Sequence, residues 1–331
     1  MLRMKINYFN RGVNSGHSIQ RVFGVITGEV QRFEDVHIYN VPEIGTSIKT
    51  FIKNFAFVKA HRDLNSINHV TGDVNYLALV LGGYKCVVTV HDIGLMKRLK
   101  GIKKMLWKFW WIESLKKADK VTFISTYTKN EVLKYVNLPE SKMRVIPNPV
   151  PSEFTYTHKE FNLTKPIILH IGAGANKNLI NSIEAIKGIS CHVRIIGKID
   201  SRVINLLEEY GIEYSTAANL TDNQILEEYK MCDIVNFPSL HEGFGMPILE
   251  GQAVGRVVLS SDIAPMNEVC GNGGAFLVNP YDITSIRNGY KKLIHDADLR
   301  NQIIQRGTEN VKKFSAKAIA ELYVKMYKEI Y

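Results

Sequence analysis

The chain has 331 residues, of which 45% are hydrophobic and 22% are charged. This composition is typical of globular proteins and excludes a disordered chain, a fibrous repeat and a peptide-sized scaffold, so the chain holds two domains or one large α/β unit. Lys and Arg total 42 against 32 Asp and Glu, and 23 of the basic but only 11 of the acidic residues lie within residues 1–150. The first half therefore carries the positive charge, which predicts an anionic partner for it.

Short runs rich in Val and Ile alternate with helical stretches, a pattern typical of parallel strands covered on both faces. In the first half the predicted strands are Lys5–Phe9, His37–Tyr39, Ile67–Thr71, Cys86–His91, Val121–Ser125 and Arg144–Ile146. In the second half they are Ile167–Gly172, His192–Gly197, Asp233–Pro238, Val257–Ser260 and Phe276–Val278. Three prolines between Pro147 and Pro151 exclude a helix interior and mark a domain boundary. The sequence therefore predicts an α/β fold with two doubly wound domains.

Two helices carry clear signals. Thr221 and Gln224 form a capping-box pattern, which predicts a helix start. Near the end of the chain, five apolar residues are spaced along one helix face: Ile319, Leu322, Tyr323, Met326 and Ile330.

The four cysteines are widely spaced, at positions 86, 191, 232 and 270. This spacing fits neither a disulfide framework nor a metal knuckle, so we expect buried thiols in a reducing compartment. The first ten residues contain no apolar signal region, and no stretch has the roughly 18 apolar residues of a membrane span. We therefore expect a cytoplasmic chain that is neither exported nor integral to a membrane.

The densest chemistry lies between Phe237 and Glu250. Gly243 and Gly245 permit close approach to the backbone, and Pro247 suits the first turn of a helix whose free N–H groups can bind a diphosphate. Glu250 can accept hydrogen bonds from a cis-diol such as ribose, and Glu242 can bind another hydroxylated group. The alternative is purely structural, with Glu250 as a favourable first-turn acid and the glycines as turn formers.

This segment resembles the Glu-x7-Glu signature of glycosyltransferase family 4, the retaining nucleotide-sugar transferases of the GT-B fold. Val145–Val150, Val121–Ser125 and the stretch from Ser260 to Pro280 resemble further motifs of that family in the same order. The resemblance implies that Glu242 contacts the donor sugar and that Glu250 binds the ribose. The backbone beside the sugar would be that of Gly243, Phe244, Gly245 and Met246, and the base would lie between Leu220 and the Ile196-Gly197 turn.

His91 ends a buried strand at the carboxyl edge of the first sheet, where such folds bind ligands. A lone histidine there is often structural, but the resemblance implies that it touches the sugar beside the reacting carbon. Gly16, in Asn14-Ser15-Gly16, resembles the family's glycine loop near the phosphates, with one glycine where the family often has two.

Lys177 follows a strand in a segment that begins at Gly172, and its ammonium can neutralise a leaving diphosphate. The family usually has an Arg a few residues earlier, which is absent here, so another basic residue substitutes or the donor differs. The segment lacks the third glycine of a dinucleotide fingerprint. Asp296-Ala-Asp298 is interpreted as solvated helix surface, and we expect no metal.

Residues 97–117 contain eight basic residues, one acid and all three tryptophans. A regular helix would place Ile102, Met105, Leu106, Phe109 and Trp110 in the core. Its outward face would then carry Lys100, Lys103, Lys104, Trp107 and Trp111. Trp and Lys on one face are typical of a helix at an anionic bilayer, which predicts membrane docking and acceptor binding there. A lid over the site or a solvated face remains the alternative.

These features predict a metal-independent hexosyltransferase that uses a nucleotide-diphosphate sugar as substrate and needs no cofactor, and the family resemblance implies that it retains the configuration of the sugar. Its acceptor would be a saccharide, in particular a lipid-linked one in lipopolysaccharide or capsule assembly, at the inner face of the cytoplasmic membrane. Residues 1–150 would bind the acceptor and 151–314 the donor, with the helix 315–331 packed back on the first domain. A nucleotide-sugar epimerase is the alternative enzyme. A basic nucleic-acid-binding protein is the alternative of another class, although we expect no nucleic acid as partner.

Overall fold

The computed structural model describes residues 3–12 and 17–331. The chain divides into two compact units, one formed by Met1–Pro151 with Ala316–Tyr331 and the other by Ser152–Ser315. Each unit contains one sheet of six strands, and every strand pair is parallel. The predicted α/β fold with two doubly wound sheets is confirmed.

The first sheet has the strand order β2-β1-β3-β4-β5-β6. Its strands are β1 (Lys5–Asn10), β2 (Asp35–Asn40), β3 (Ile67–Val70), β4 (Cys86–Val90), β5 (Lys120–Phe123) and β6 (Met143–Val145). All residues of β3, β4 and β5 are buried, as expected for strands covered on both faces.

Five α-helices connect these strands: α1 (His17–Val30), α2 (Ile48–His61), α3 (Gly94–Arg98), α4 (Gly101–Trp107) and α5 (Thr126–Leu133). Directly after α4 the chain forms a π-helical turn over Lys108–Ile112 and then a 3₁₀ turn over Glu113–Lys117. The segment predicted as one regular helix is therefore three shorter helical pieces.

The second sheet has the strand order β12-β11-β10-β7-β8-β9. Its strands are β7 (Ile167–Ile171), β8 (His192–Ile196), β9 (Glu213–Ala217), β10 (Ile234–Phe237), β11 (Val257–Ser261) and β12 (Phe276–Val278). Strand β9 was not predicted. This edge strand reads Glu-Tyr-Ser-Thr-Ala and is partly exposed, so it lacks the apolar run of a central strand.

The second unit contains α6 (Leu179–Ile186), α7 (Ser201–Glu209), α8 (Asp222–Met231), α9 (Met246–Ala253), α10 (Met266–Val269), α11 (Ile283–His295) and α12 (Ala297–Val311). The predicted capping box is present at the start of α8: the Thr221 hydroxyl accepts from the Gln224 N–H, and the Gln224 side chain accepts from the Thr221 N–H.

The last helix, α13 (Ala316–Lys328), packs on α1 in the first unit. Ile319, Tyr323 and Met326 are buried on it, whereas Leu322 is 44% exposed. The Tyr327 hydroxyl lies 2.6 Å from Nδ1 of His69 and donates to the Tyr8 hydroxyl at 3.0 Å. Residues from the end of the chain thus complete the core of the first unit.

The four cysteines are buried free thiols, as predicted, and burial raises the pKa of each. Among the helices in residues 3–12 and 17–331, none combines the length and the apolar character that a membrane span requires.

Candidate active site

The second sheet has its topological switch point between β7 and β10, where the chain connections leave in opposite directions and open a crevice at the carboxyl ends of the strands. Lys177 lies in a 3₁₀ turn after β7, and Glu242 lies in the loop after β10. Two residues 65 positions apart in sequence therefore meet at the edge where this fold class binds ligands.

The Lys177 ammonium and the Glu242 carboxylate form an ion pair of 2.8 Å, and both side chains are partly exposed, at 22% and 15%. Asn176 Nδ2 donates to the same carboxylate oxygen at 3.2 Å and to the His241 carbonyl at 3.1 Å. The Lys177 ammonium also lies 4.8 Å from the centre of the Phe237 ring. These contacts hold one cation and one anion side by side, and both can still reach a ligand.

Two predicted glycines lie beside Lys177. Gly172 has φ +90, and a Cβ there would lie 3.0 Å from the Lys177 side chain. Gly197 has φ +152, and a Cβ there would lie 3.1 Å from the Ala173 backbone nitrogen. The structure thus brings Gly172, Gly197 and Lys177 together at the ends of β7 and β8, and it places Leu220 half-exposed in the loop between β9 and α8.

Helix α9 begins directly after Gly245, which has φ +121, and Pro247 occupies its first turn. Gly243 and Met246 are partly exposed. Phe244 is buried, and its ring packs on that of Phe314 at 6.1 Å. The Phe244 side chain therefore anchors the loop, and only its backbone can serve a donor.

Glu250 lies in the second turn of α9 and is 4% exposed. The Tyr229 hydroxyl donates to Glu250 Oε2 at 2.6 Å. Tyr229 was not predicted as a site residue, because a tyrosine on the apolar face of a helix resembles an ordinary core residue. The bond fixes the orientation of the carboxylate predicted to bind ribose.

His91 follows β4 and is 9% exposed. Its Nε2 lies 2.8 Å from the Thr71 carbonyl oxygen, which can only accept, so Nε2 carries the proton and Nδ1 is an acceptor. Burial lowers the pKa of His91 to about 4, and the ring is neutral at pH 7. Gly72, with φ +123, faces this ring, since a Cβ there would lie 2.4 Å from it. The predicted loop Asn14-Ser15-Gly16 lies outside the described residues.

The first unit has its own cavity, of about 190 Å³, near the carboxyl ends of β1 and β3. The first sheet has its switch point between these two strands. Charged side chains and aromatic rings line the cavity, among them Arg11, Glu43, Asp73, Tyr76, Trp107 and Trp111.

Asp73 is the most unusual residue of this cavity. It has φ +61, a region that residues other than glycine seldom adopt and that is typical of functional sites. Its carboxylate pairs with Arg11 at 2.9 Å, and Trp111 Nε1 donates to its carbonyl at 3.2 Å. Burial raises the pKa of the Asp73 carboxyl. Arg11 and Asp73 were not predicted. The sequence did carry a signal for Asp73, because the Gly72-Asp73 pair follows one strand just as the His91-Asp92 pair follows β4.

The predicted orientation of residues 101–111 is wrong. Trp107 and Trp111 are buried, at 8% and 7%, and their rings stack at 5.6 Å. Four residues predicted to lie in the core are at least half exposed instead: Ile102, Met105, Leu106 and Phe109. The Trp111 ring packs against Phe51 and Tyr76, and the Trp107 ring stacks on Trp111, so the two indoles take the inward positions and leave the smaller side chains outside.

A second exposed apolar group lies on α2, where Ile48 is 77% and Ile52 62% exposed. The Trp110 ring connects the two groups, since it stacks on Phe51 of α2 at 4.7 Å and contacts the Phe109 ring at 5.4 Å. We call Ile48, Ile52, Ile102, Met105, Leu106 and Phe109 the apolar surface. Lys100 and Lys103 are exposed beside it, and Lys104 is half-buried against Tyr135.

Asp296 caps α12, because its carboxylate accepts from the Leu299 N–H at 2.8 Å, and Asp298 is exposed in the first turn. Within the part of the chain that the structure describes, no three His, Cys, Asp or Glu residues are grouped as metal ligands would be.

Residues 153–310 match the family model of the glycosyl transferases group 1, and residues 29–154 match that of Glycosyltransferase Family 4. The serotype-specific mannosyltransferase WbdA of Escherichia coli is 25% identical over 323 residues, which cover 89% of this chain and 38% of WbdA. The O-antigen chain mannosyltransferase RfbU of Salmonella typhimurium is 28% identical over 250 residues, 71% of this chain and 69% of RfbU.

The crystal structure of Anabaena HepE in complex with UDP-glucose has a TM-score of 0.77 at 14% identity, over 99% of this chain and 100% of HepE. This chain spans about two fifths of the length of WbdA. The two family matches together extend over residues 29–310, in the order of the two units described above. The chain belongs to the group 1 glycosyltransferases of GT-B fold.

Proposed function

We propose that the chain transfers a hexose from a nucleotide-diphosphate sugar to a saccharide acceptor in the assembly of a bacterial cell-surface polysaccharide, with retention of configuration and without a metal or cofactor. The ion pair of Lys177 and Glu242 at the switch point of the second sheet is the observation that carries this proposal. A ligand at that edge meets a cation suited to phosphate and a carboxylate suited to sugar hydroxyls.

In the proposed reaction, the N–H groups at the start of α9 bind the diphosphate. Lys177 stabilises the negative charge that develops on it as the bond between the sugar carbon and the phosphate oxygen breaks. The acceptor oxygen bonds to the same carbon on the same face, and its proton passes to the departing phosphate oxygen. Glu242 orients the sugar through its hydroxyl groups, so the protein acts by positioning and by charge stabilisation.

The cavity lined by Asp73 and Trp107 is the proposed acceptor site. Its volume of about 190 Å³ admits one sugar ring, and it combines aromatic walls with a carboxylate and a guanidinium that can bind hydroxyl groups. Ile44 and Leu95 line the same cavity and are 51% and 41% exposed, so an acceptor with an apolar part finds apolar contacts at its edge.

The apolar surface is the proposed contact with the inner face of the cytoplasmic membrane, and it favours a lipid-linked acceptor. Six large exposed hydrophobic side chains lie beside lysines, and Lys49, Lys100, Lys103 and Lys104 form no ion pair with any residue that the structure describes. Each lysine near an anionic bilayer contributes about 1 kcal/mol, and insertion of the apolar side chains adds to this. The site differs from the one predicted from sequence, because Trp107 and Trp111 take no part in it.

The test has two steps. Uridine, guanosine and adenosine diphosphate sugars are first screened for an increase in melting temperature, beginning with mannosyl nucleotides because both curated relatives are named mannosyltransferases. The donor that binds is then incubated with lipid-linked saccharides, and the products are analysed. We expect an elongated acceptor; a free or isomerised sugar formed without any acceptor would contradict transfer and favour an epimerase. Binding of DNA in place of any nucleotide sugar would contradict both.

A further inference from the structure

The second unit contains another cavity, of about 260 Å³, at the amino ends of its strands. Asp233 directly precedes β10 and Arg256 directly precedes β11, and both line this cavity together with Arg300 of α12. Lys177 and Glu242 follow the carboxyl ends of β7 and β10. Since all strands of the sheet are parallel, the cavity and the ion pair lie at opposite edges, roughly 15 Å apart along the strands.

Two buried arginines form part of the cavity wall. Arg256 is 4% exposed, and its Nη atoms donate to main-chain carbonyls, among them those of Thr157 and Lys230. Its Nε is buried and has no hydrogen-bond partner within residues 3–12 and 17–331. Arg300 is 8% exposed and donates through Nη1 to the carbonyls of Leu293 and Ile294.

The acid buried beside them is already neutralised. Asp233 is 3% exposed, and its carboxylate accepts from the Lys159 ammonium and from the N–H groups of Asn162 and Ile167. Glu160 at the cavity is almost fully exposed. Neither guanidinium forms an ion pair with a carboxylate of the described chain. Asp233 attracts both arginines and Asp296 also attracts Arg300, but neither acid forms an ion pair with them, and burial lowers the pKa of both arginines.

We propose that this cavity binds a phosphate group, either as inorganic phosphate or as part of a sugar phosphate, against the guanidinium groups of Arg256 and Arg300. A guanidinium presents several N–H donors in a planar fork that matches phosphate oxygens, and burial strengthens such a contact. The cavity is large enough for a sugar phosphate and is open to solvent. The site is independent of the donor diphosphate proposed above, which binds at the other edge of the sheet.

Isothermal titration of the full chain with inorganic phosphate and with a hexose 1-phosphate, at constant ionic strength, tests the proposal. Asn301→Asp is the informative variant, because Asn301 is exposed on α12, lines the cavity and is replaced at nearly constant size by a negative charge. Gln302→Glu is its matched control, since Gln302 is the next residue, is exposed and does not line the cavity. Lys177→Met controls for phosphate bound at the donor edge.

We expect saturable binding of one phosphate group, weakened about tenfold by Asn301→Asp and unchanged by Gln302→Glu and by Lys177→Met. The ligand that binds more tightly, inorganic phosphate or the hexose 1-phosphate, shows whether the cavity takes free phosphate or a sugar phosphate. Either result supports the proposed site. The proposal is overturned if binding is not saturable, if Asn301→Asp behaves as Gln302→Glu does, or if Lys177→Met abolishes the binding.

Discussion

The Nζ atom of Lys177 lies 2.8 Å from Oε1 of Glu242, in a sheet whose switch point brings the loops after β7 and β10 together. Asn176 Nδ2 lies 3.2 Å from the same oxygen, so the two loops are tied by a cation and by an amide. The loops after β7 and β10 hold this ion pair together in the absence of a ligand. In the proposed reaction, Lys177 would exchange part of this contact for the donor diphosphate while Glu242 turns to the sugar.

Lys177→Met is expected to lower kcat by about 10²–10³, because a preorganised group that stabilises developing charge contributes on that scale. Steady-state kinetics with the donor found in the screen measures the effect. Lys187→Met is the control, since Lys187 is exposed in the same unit and contacts Tyr210 instead of the site. Equal kcat values for the two variants would exclude Lys177 from the reaction.

Tyr229→Phe is expected to weaken donor binding, because it removes the hydrogen bond that orients Glu250, and bonds to charged groups contribute about 1.5–3 kcal/mol. Tyr290→Phe is a matched control: Tyr290 is also buried in the second unit, but its hydroxyl donates to Asn236. Titration calorimetry with the donor distinguishes them. If both variants bind the donor equally well, the hydrogen bond from Tyr229 is not needed to orient Glu250. Donor binding by Glu250→Ala then tests the ribose contact directly, and we expect that binding to be lost.

Gly72→Ala is expected to lower both stability and kcat. The added Cβ would lie 2.4 Å from the His91 ring, and φ +123 is strained for alanine. Gly83→Ala shares the strain, with φ +86, but its Cβ would meet no atom within 4 Å. We therefore expect both variants to melt earlier and only Gly72→Ala to lose activity. Full activity in Gly72→Ala would show that the position of His91 is unimportant.

The stability of the protein should fall as the pH drops below about 6.5. Burial lowers the pKa of His91 to about 4 and those of His69 and His170 to about 3. Between these values and the pKa near 6.5 of the unfolded chain, the unfolded state binds more protons, so folding stability rises with pH and is complete above pH 6.5.

Each of the three rings contributes up to about 1.4 kcal/mol per pH unit within that window. Urea unfolding at several pH values between 7.5 and 4.5 measures the slope. His91→Gln should reduce the slope by one proton, since glutamine can still donate to the Thr71 carbonyl but does not titrate. An unchanged slope would mean that His91 is protonated in the folded protein.

Phe109→Glu combined with Leu106→Glu is expected to release the protein from vesicles that contain anionic lipid, because both side chains are about half exposed on the apolar surface. Leu322→Glu is the control, since Leu322 is 44% exposed on α13. Sedimentation with vesicles measures the bound fraction. Co-sedimentation of the double variant at the level of the control would exclude the apolar surface as the membrane contact.

Eleven of the twelve strands in the two described sheets could be predicted, Arg144 to Ile146 among them, because most contain the Val and Ile runs of buried parallel strands. Only β9 was missed, since its polar alternation is typical of an edge and not of a core. Lys177, Glu242 and the nearby glycines were singled out because each lies in a loop after a predicted strand, and Glu242 also because of the Glu-x7-Glu resemblance.

The other features of the fold and the site depend on side-chain packing, which the spacing of residues in the sequence does not reveal. Periodicity grouped Trp107 with Trp111 correctly, but it cannot say which face of a helix is turned inward, and the stacking of two indoles decided this. Tyr229 and Asp73 act through partners that are distant in sequence. Tyr229 was indistinguishable from an ordinary core residue until its contact with Glu250 was known, and the Gly-Asp pair that could have marked Asp73 gained its meaning only from the contact with Arg11.

The position of α13 has a consequence for biosynthesis. Ser152–Ser315 is one continuous stretch, whereas the core around Tyr8 and His69 lacks Tyr323 and Tyr327 until residues 316–331 have been synthesised and have left the ribosome. Translation at about 5–20 residues per second leaves roughly 8–33 seconds during which residues 1–151 have been synthesised but their core is incomplete. The later unit is therefore expected to fold first, and a fragment that ends at Pro151 should aggregate unless the peptide 316–331 is supplied separately.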